Sequence, residues 1–250
     1  MQPFIHINGW SVSSYYLINN LSFALFAIYF LYAGTKVEGI AWPRIAVFLI
    51  CVFFVQIPAG AVIPAVYHWI RIRELPDMAF MAAARFFHSA WIFSLLFVIF
   101  YCRAAHWPVK RFIDHYAIGA GFMAAFGRIA CFMQGCCLGK PTRMPWGVQF
   151  PDQSVHVHPA QLYHLFGEGI VIMAIVLYIQ KHKKFEGQTF WSYIFLYSAF
   201  RFFIEFFRTN PVALLGLTHA QLFSVLGTLL SGAILYRNLY RRNARLPSHS

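Results

Sequence analysis

The chain has 250 residues, of which 60% are hydrophobic and 11% are charged, and its mean hydropathy is +0.58. Soluble domains carry about 25% charged residues, so this composition excludes an ordinary soluble enzyme and indicates an integral membrane protein. The net charge of +12 does not indicate nucleic-acid binding, because the basic residues lie in short loops between apolar segments. The N-terminal segment has neither a basic region nor a small-residue cleavage site, so we expect the first helix to remain as an anchor.

Seven apolar segments have the length of a membrane-spanning helix, which needs about 20 largely apolar residues. Lysine and arginine concentrate in the loops after the first, third, fifth and seventh segments, and the positive-inside rule places those loops in the cytoplasm. The sequence contains no repeat or linker, so we expect one polytopic membrane domain over residues 1–250. The predicted fold is an all-α membrane protein with an outward N-terminus, a cytoplasmic C-terminus and helices over 17–34, 44–64, 79–102, 114–134, 161–180, 188–207 and 219–237.

Polar side chains are predicted near the outer ends of four of these segments. In the sixth segment the polar residues are Tyr197, Arg201, Glu205 and Arg208. They are spaced by four, four and three residues, which places them on one stripe of a helix. We therefore expect a polar site at outer-leaflet depth. Its candidate residues are His88 in the third segment, Arg128 and Cys131 in the fourth, His158, Gln161 and Tyr163 at the start of the fifth, and Tyr197, Arg201, Glu205 and Arg208 in the sixth.

Arg128 and Arg201 are the strongest candidates, because a permanently charged guanidinium is costly in an apolar helix and its planar fork matches a phosphate. The pair predicts a site for a phospholipid headgroup. Alternatively, Arg201 only pairs with Glu205 one turn later, and Arg128 extends to water. Glu205 either accepts a proton or clamps Arg201 and Arg208, and His88 acts either as a base or headgroup ligand or as a structural hydrogen-bonding group.

Cys131, Cys136 and Cys137 form a Cys-x4-Cys-Cys cluster with three interpretations. A metal site is disfavoured, because zinc sites usually have a second cysteine pair or histidines, so we expect neither a metal nor a cofactor. A disulfide or structural thiols are favoured over a nucleophilic thiolate activated by Arg128. Cys51 and Cys102 are expected to be packing residues.

Four motifs in consistent order resemble those of the bacterial prolipoprotein diacylglyceryl transferase family. They are GRIACFMQGCCLG over 127–139, HPAQLY over 158–163 with Glu168 and Gly169 after it, YSAFRFFIEFFR over 197–208, and AQLFS over 220–224. By this resemblance Arg128 and Arg201 correspond to essential arginines, Tyr197 and Glu205 to their polar partners, Gly139 to the last signature glycine, and His88 to a histidine that two glycines follow in the family.

The resemblance implies transfer of the diacylglyceryl group from phosphatidylglycerol to the cysteine thiol of a secreted prolipoprotein, with release of glycerol phosphate and without a cofactor. It also implies a multi-pass protein of the bacterial inner membrane whose N-terminus is periplasmic. We expect Arg128, Arg201, His88 and Glu205 to be catalytic, and Tyr197, Gly139, Cys131, Cys136, Gln161, Tyr163 and Arg208 to bind substrate.

The chain departs from the family pattern where the signature has two asparagines and an acidic residue, which are Cys131, Gln134 and Cys136 here. These departures leave open a different acceptor or a cysteine-bound intermediate on the same fold. The sequence is also compatible with a membrane thiol oxidoreductase and with a non-enzymatic lipid-binding or transport protein.

Overall fold

The computed structural model of the protein describes residues 4–7, 10–73, 87–151 and 153–244. It describes the backbone alone at positions 4–7, 10–12, 56–64, 67, 71–72 and 87–90. Within this part of the chain, helices form most of the structure. Two short antiparallel hairpins accompany them.

Each of the seven predicted segments overlaps a helix, although the start of the third, at residues 79–86, lies outside the described residues. The helices are α1 (Ser14–Tyr32, extended by a π-helical turn at Ala33–Val37), α2 (Trp42–Ile72), α3 (Phe87–Ala104), α4 (Val109–Gln134), α5 (Ala160–Phe166), a π-helical segment (Gly167–Ile172), α6 (Met173–His182), α7 (Gln188–Ile204, extended by a 3₁₀ turn at Glu205–Phe207) and α8 (His219–Asn243).

Four continuous helical stretches in the described part of the chain are long and apolar enough to cross a membrane. Shorter apolar helices cover Trp42–Val55 and Trp91–Ala104. The protein is therefore a multi-pass membrane protein. The four long stretches are Ser14–Val37, Val109–Gln134, Ala160–His182 and His219–Asn243.

The two hairpins add strands to a fold that was predicted to be all-α. β1 (Phe4–Ile7) pairs with β2 (Trp10–Ser13), and β3 (Val212–Leu214) pairs with β4 (Leu217–Thr218). Leu215 and Gly216, which join β3 to β4, have φ of +53° and +75°, as a two-residue turn of type I′ requires. β3 and β4, with three and two residues, are too short for an alternating pattern to reveal them.

The chain divides into two compact units, one formed by Tyr29–Tyr116 and the other by Met1–Ile28 together with Ala117–Ser250. In the first unit, aromatic rings form the core. The Phe30 and Phe48 rings stack with centroids 5.2 Å apart, and the Trp107 and Phe112 rings stack at 4.9 Å. The prediction of a single domain stays a prediction.

The same unit contains a buried carboxylate, that of Glu38. Its Oε2 accepts a hydrogen bond from Arg111 Nη1 at 3.2 Å, and its Oε1 lies 3.1 Å from His115 Nε2. The Tyr29 hydroxyl lies 3.1 Å from Nδ1 of the same histidine. Both oxygens of Glu38 are thus satisfied, which is typical of a structural charge.

In the second unit, α7 and α8 pack closely through small residues, as is common for membrane helices. A Cβ atom added to Gly227 would lie 2.5 Å from Ser198 Oγ, so the two helices approach through this glycine. α8 begins with a capping box. The Thr218 hydroxyl accepts a hydrogen bond from the Gln221 backbone N–H, and the Gln221 side chain accepts one from the Thr218 N–H.

Candidate functional site

The turn after α4 brings the signature residues to the end of the helix. Gly135 has φ of +73°, and Cys137 takes the same left-handed region at +61°, which a non-glycine residue rarely adopts. The Gly139 N–H donates to the His158 carbonyl at 3.1 Å. A Cβ atom on Gly139 would lie only 2.8 Å from the Phe207 carbonyl oxygen, so this position requires glycine.

Gln161, which is fully buried at the start of α5, fixes this turn from the opposite side. Its Nε2 donates to the Cys136 carbonyl at 2.5 Å, and the Cys136 N–H donates to the Cys131 carbonyl at 3.1 Å. The predicted residues Gln161, Cys131 and Cys136 therefore belong to one local arrangement.

The thiols of Cys131, Cys136 and Cys137 come together at this turn. Their sulfur atoms all lie within 4.8 Å of one another, and all three cysteines are free. Hydrogen bonds from the Cys131 and Cys136 thiols lower the pKa of Cys137, and the charges of Arg208 and Arg128 lower it further. The hydrogen bonds to Cys131 and Cys137 raise the pKa of Cys136. The charges of the two arginines therefore favour a negative charge in this cluster.

Glu205 is the centre of a charged network at the end of α7. Arg201 Nη1 donates to Glu205 Oε2, and Arg208 Nε lies 3.7 Å from the same oxygen. Asn210 Nδ2 and the Thr218 hydroxyl donate to Oε1 at 2.5 and 2.9 Å. Since both oxygens already accept hydrogen bonds, this geometry suits a carboxylate that orients arginines better than one that accepts a proton.

Several buried polar atoms around these arginines have no hydrogen-bond partner within the described part of the chain. A buried polar atom that stays unsatisfied costs about 1–3 kcal/mol, so several of them at one place are typical of a ligand site. The atoms are Arg201 Nε, Arg208 Nε, the Tyr197 hydroxyl, Gln161 Oε1, both ring nitrogens of His164 and Glu168 Oε2.

Arg128 joins this polar cluster from α4. Its guanidinium interacts electrostatically with Tyr197 and Glu168 and also with Cys131 and Cys137. The sequence-predicted arginines and the cysteine turn therefore lie in the same region of the second unit. Arg128 is the link between the unsatisfied polar atoms and the three thiols.

His164 was not identified from the sequence as a site residue, and Glu168 entered only as part of the resemblance. Both side chains are fully buried, and His164 Nδ1 lies 3.7 Å from Glu168 Oε2. The Tyr193 hydroxyl donates to Glu168 Oε1 at 2.7 Å. The sequence does carry one signal for them, namely two ionisable residues spaced by four in an apolar span, which in a membrane helix indicates a functional site.

Tyr163 lies at the edge of the site and links two segments of the loop between α4 and α5. The Trp146 indole N–H donates to the Tyr163 hydroxyl at 2.8 Å, and His158 Nδ1 lies 2.9 Å from it. The His158 ring also packs against Phe207, with centroids 5.1 Å apart. These contacts are those of a residue that stabilises the loop, and substrate binding by Tyr163 stays a prediction.

His88 differs from the other predicted site residues, which all belong to the second unit. It lies in the first turn of α3, in the first unit, where the side chains are outside the described part of the structure. Its predicted catalytic role stays a prediction.

Comparison with known proteins identifies similar sequences along nearly the whole chain. A family model described as prolipoprotein diacylglyceryl transferase matches residues 2–237. A protein of Clostridium tetani, named phosphatidylglycerol–prolipoprotein diacylglyceryl transferase, is 30% identical over 154 residues, which are 60% of this chain and 61% of the relative. A protein of the same name from Wolbachia pipientis subsp. Culex pipiens is 35% identical over 159 residues, or 60% of each chain.

A third relative, from Clostridium perfringens, is named phosphatidylglycerol–prolipoprotein diacylglyceryl transferase 2. It is 27% identical over 237 residues, which are 92% of each chain. The chain therefore spans about three fifths of the length of the first two relatives and almost the full length of the third.

Proposed function

Since the chain belongs to the prolipoprotein diacylglyceryl transferase family, we propose that it transfers the diacylglyceryl group of phosphatidylglycerol to a prolipoprotein cysteine thiol and releases glycerol phosphate. The observation that carries this proposal is the buried group of polar atoms without partners among the described residues, next to three arginines. An anionic phosphodiester is the kind of ligand that such donors bind.

In this proposal Arg128 and Arg201 hold the phosphate of the donor lipid. Arg201 uses one Nη to bind Glu205, and its Nε remains available to a ligand. The Tyr197 hydroxyl is buried beside them and adds a neutral donor. Breaking the bond between the glyceryl carbon and the phosphate oxygen leaves a second negative charge on the phosphate. Preorganised cationic donors stabilise this developing charge, and that stabilisation accelerates the transfer.

Glu205 acts in this scheme as a positioning residue. Its carboxylate holds Arg201 and Arg208 in fixed orientations and is itself held by Asn210 and Thr218. A fixed orientation matters because the donors need not reorganise as the charge develops. His88 remains the predicted base for the acceptor thiol.

We further propose seven membrane spans in the bacterial inner membrane, with a periplasmic N-terminus and a cytoplasmic C-terminus. The helices at the seven predicted positions support this count, and the basic loops support the orientation. In that topology the C-terminal ends of α4 and α7 and the N-terminal ends of α5 and α8 lie on the periplasmic side. The site residues of the second unit come from these four helix ends, where a secreted acceptor has access.

The test is a reaction of purified, reconstituted protein with phosphatidylglycerol and a lipobox peptide, followed by mass spectrometry. The expected products are glycerol phosphate and a peptide with a diacylglyceryl thioether, and Arg128→Ala should lose both while still inserting into the membrane. The matched control is Arg242→Ala, an exposed arginine near the end of α8.

Three further outcomes distinguish the proposed transfer from competing functions. Glycerol phosphate without a modified peptide indicates a different acceptor. If neither product forms and the clustered cysteines are found in a disulfide, the transferase proposal is wrong and a thiol oxidoreductase replaces it. Full transfer by Arg128→Ala contradicts the phosphate site.

A further inference from the structure

The phosphate site proposed above does not use the cluster of three thiols, although Arg128 interacts electrostatically with two of them. The three sulfur atoms lie within 4.8 Å of one another and form a donor set for a metal ion. Thiolates are soft ligands that suit zinc.

The distances fit a common metal ion with little movement. Sulfur atoms bound to zinc lie about 2.3 Å from it, so three of them in a tetrahedral site are about 3.8 Å apart. The three thiols already lie within 4.8 Å of one another, so each pair needs to approach by about 1 Å at most.

The backbone of the cluster is held in place by one hydrogen bond within the turn and one from Gln161. The Cys136 N–H donates to the Cys131 carbonyl at the end of α4, and buried Gln161 binds the Cys136 carbonyl. Cys137 occupies a left-handed backbone conformation that disfavours side-chain-bearing residues. The thiols therefore project from a supported turn, as preorganised metal ligands do.

The charged groups around the three cysteines also suit a zinc site. A divalent zinc ion with three thiolates carries a net charge of −1, and Arg208 and Arg128 both interact electrostatically with Cys137. Cationic groups close to the site offset that negative charge.

The number of ligands is informative. Within the described residues, three side chains that can bind a metal ion come together at this turn, and all three are cysteines. Structural zinc sites have four protein ligands, whereas catalytic sites have three and leave one position for water or substrate. Cys137 is exposed, so an incoming group has access to the cluster.

We propose that Cys131, Cys136 and Cys137 bind one zinc ion whose fourth position takes the thiol of the acceptor cysteine. This inference rests on the proposed transferase function, and it departs from the expectation, drawn from cysteine spacing alone, that the chain binds no metal. That expectation required a second pair of ligands along the chain. The turn at Gly135 instead brings three cysteine ligands together, and a zinc ion with three protein ligands has one position left for a substrate.

The chemistry balances without an oxidant or reductant. The acceptor thiol releases its proton to the predicted base, His88, when its sulfur binds zinc, and the bound thiolate attacks the glyceryl carbon of the lipid. A carbon–sulfur bond forms, the carbon–oxygen bond to the phosphate breaks, and the glycerol phosphate leaves with the electron pair. The thioether product is a weaker zinc ligand than a thiolate and dissociates.

The first test measures metal binding without turnover. The full-length protein in detergent, with its thiols reduced, is titrated with Zn²⁺ in competition with a chromogenic chelator. We expect one equivalent to bind, and an affinity at least about 100-fold lower in Cys131→Ser and in Cys136→Ser. Cys51→Ser is the matched control, because Cys51 is a free cysteine outside the cluster. Equal binding by Cys136→Ser and the unmodified protein overturns the proposal.

The second test examines the fourth position. In protein loaded with Co²⁺, a lipobox peptide should increase the thiolate-to-cobalt charge-transfer absorption, and a peptide with serine in place of its cysteine should not. Equal spectra with the two peptides overturn the substrate position. Removal of zinc should reduce thioether formation at least tenfold, and zinc addition should restore it.

The outcomes also separate this inference from the transferase function. If the protein binds no zinc but forms both products, the transferase function stands and the metal site is wrong. If zinc binds and the cobalt spectrum responds to the peptide, but no glycerol phosphate forms, the acceptor site stands and the proposed transfer is wrong. Full activity after removal of zinc overturns activation of the thiol by the metal.

Discussion

Replacing Arg201 by lysine separates the charge of this side chain from its shape. The guanidinium binds Glu205 through one Nη, while its buried Nε has no hydrogen-bond partner within the described chain. A lysine ammonium keeps the positive charge but presents its donors from a single atom. We expect it to bind either Glu205 or the lipid phosphate well, but not both.

The expected loss of transfer rate in Arg201→Lys follows from the hydrogen-bond donor that is removed. Removing one preorganised donor to a developing oxyanion costs about 2.7–4 kcal/mol, which lowers the rate of transfer by about 10²–10³-fold. Stability should change much less, because the introduced lysine would still pair with Glu205, and Asn210 and Thr218 still donate to that carboxylate. Arg201→Ala, in contrast, removes a partner of a buried carboxylate, a change that typically costs about 3–5 kcal/mol.

The assay compares glycerol phosphate release and the apparent melting temperature in detergent for Arg201→Lys and for Arg241→Lys. Arg241 is an exposed residue in the last turn of α8 and serves as the matched control. Transfer by Arg201→Lys within about threefold of the unmodified rate, with an unchanged melting temperature, would refute a phosphate contact that depends on the guanidinium fork.

Two further predictions concern the support of the site. Thr218→Val should destabilise the protein by about 2 kcal/mol, because the hydroxyl both caps α8 and donates to Glu205, and Thr218→Ser should retain most of that stability in thermal unfolding. Gly227→Ala should lower the melting temperature more than Gly232→Ala, because a Cβ would lie 2.5 Å from Ser198 Oγ at the first position and no closer than 3.3 Å to any neighbour at the second. A melting temperature that is equal in the two glycine variants would contradict the close packing of α7 against α8.

The helices could be predicted from the sequence because membrane spans need long apolar segments, and these were visible at all seven positions. The family motifs were also sufficient, since the resemblance is confirmed by a family model over residues 2–237. The first hairpin was missed although Asn8-Gly9, the dipeptide between its strands, is a sequence signal for a hairpin. The second hairpin has strands of three and two residues joined by Leu215-Gly216, which is a much weaker signal.

The site could be predicted in part. The stripe formed by Arg201, Glu205 and Arg208 followed from helical spacing, and the structure brings these three charges together. His164 was missed although it lies four residues before Glu168 in an apolar span, because the histidine was not considered together with that glutamate. The approach of the three thiols also depends on the turn at Gly135, so spacing along the chain does not predict it.

Because of the π-helical segment at Gly167–Ile172, the number of residues in this membrane span determines which side chains face the protein interior. Four buried residues recur at intervals of four, namely His164, Glu168, Ile172 and Val176. In a regular α-helix each such interval drifts by about 40° around the axis, so the last of the four would point about 120° away from the first. The wider turns of the π-helical segment reduce that drift. The polar residues His164 and Glu168 and the apolar residues Ile172 and Val176 therefore all face the protein interior. Deleting any one residue of the segment would rotate Val176 by about 100° relative to His164, so this span should tolerate apolar substitutions far better than a change of length.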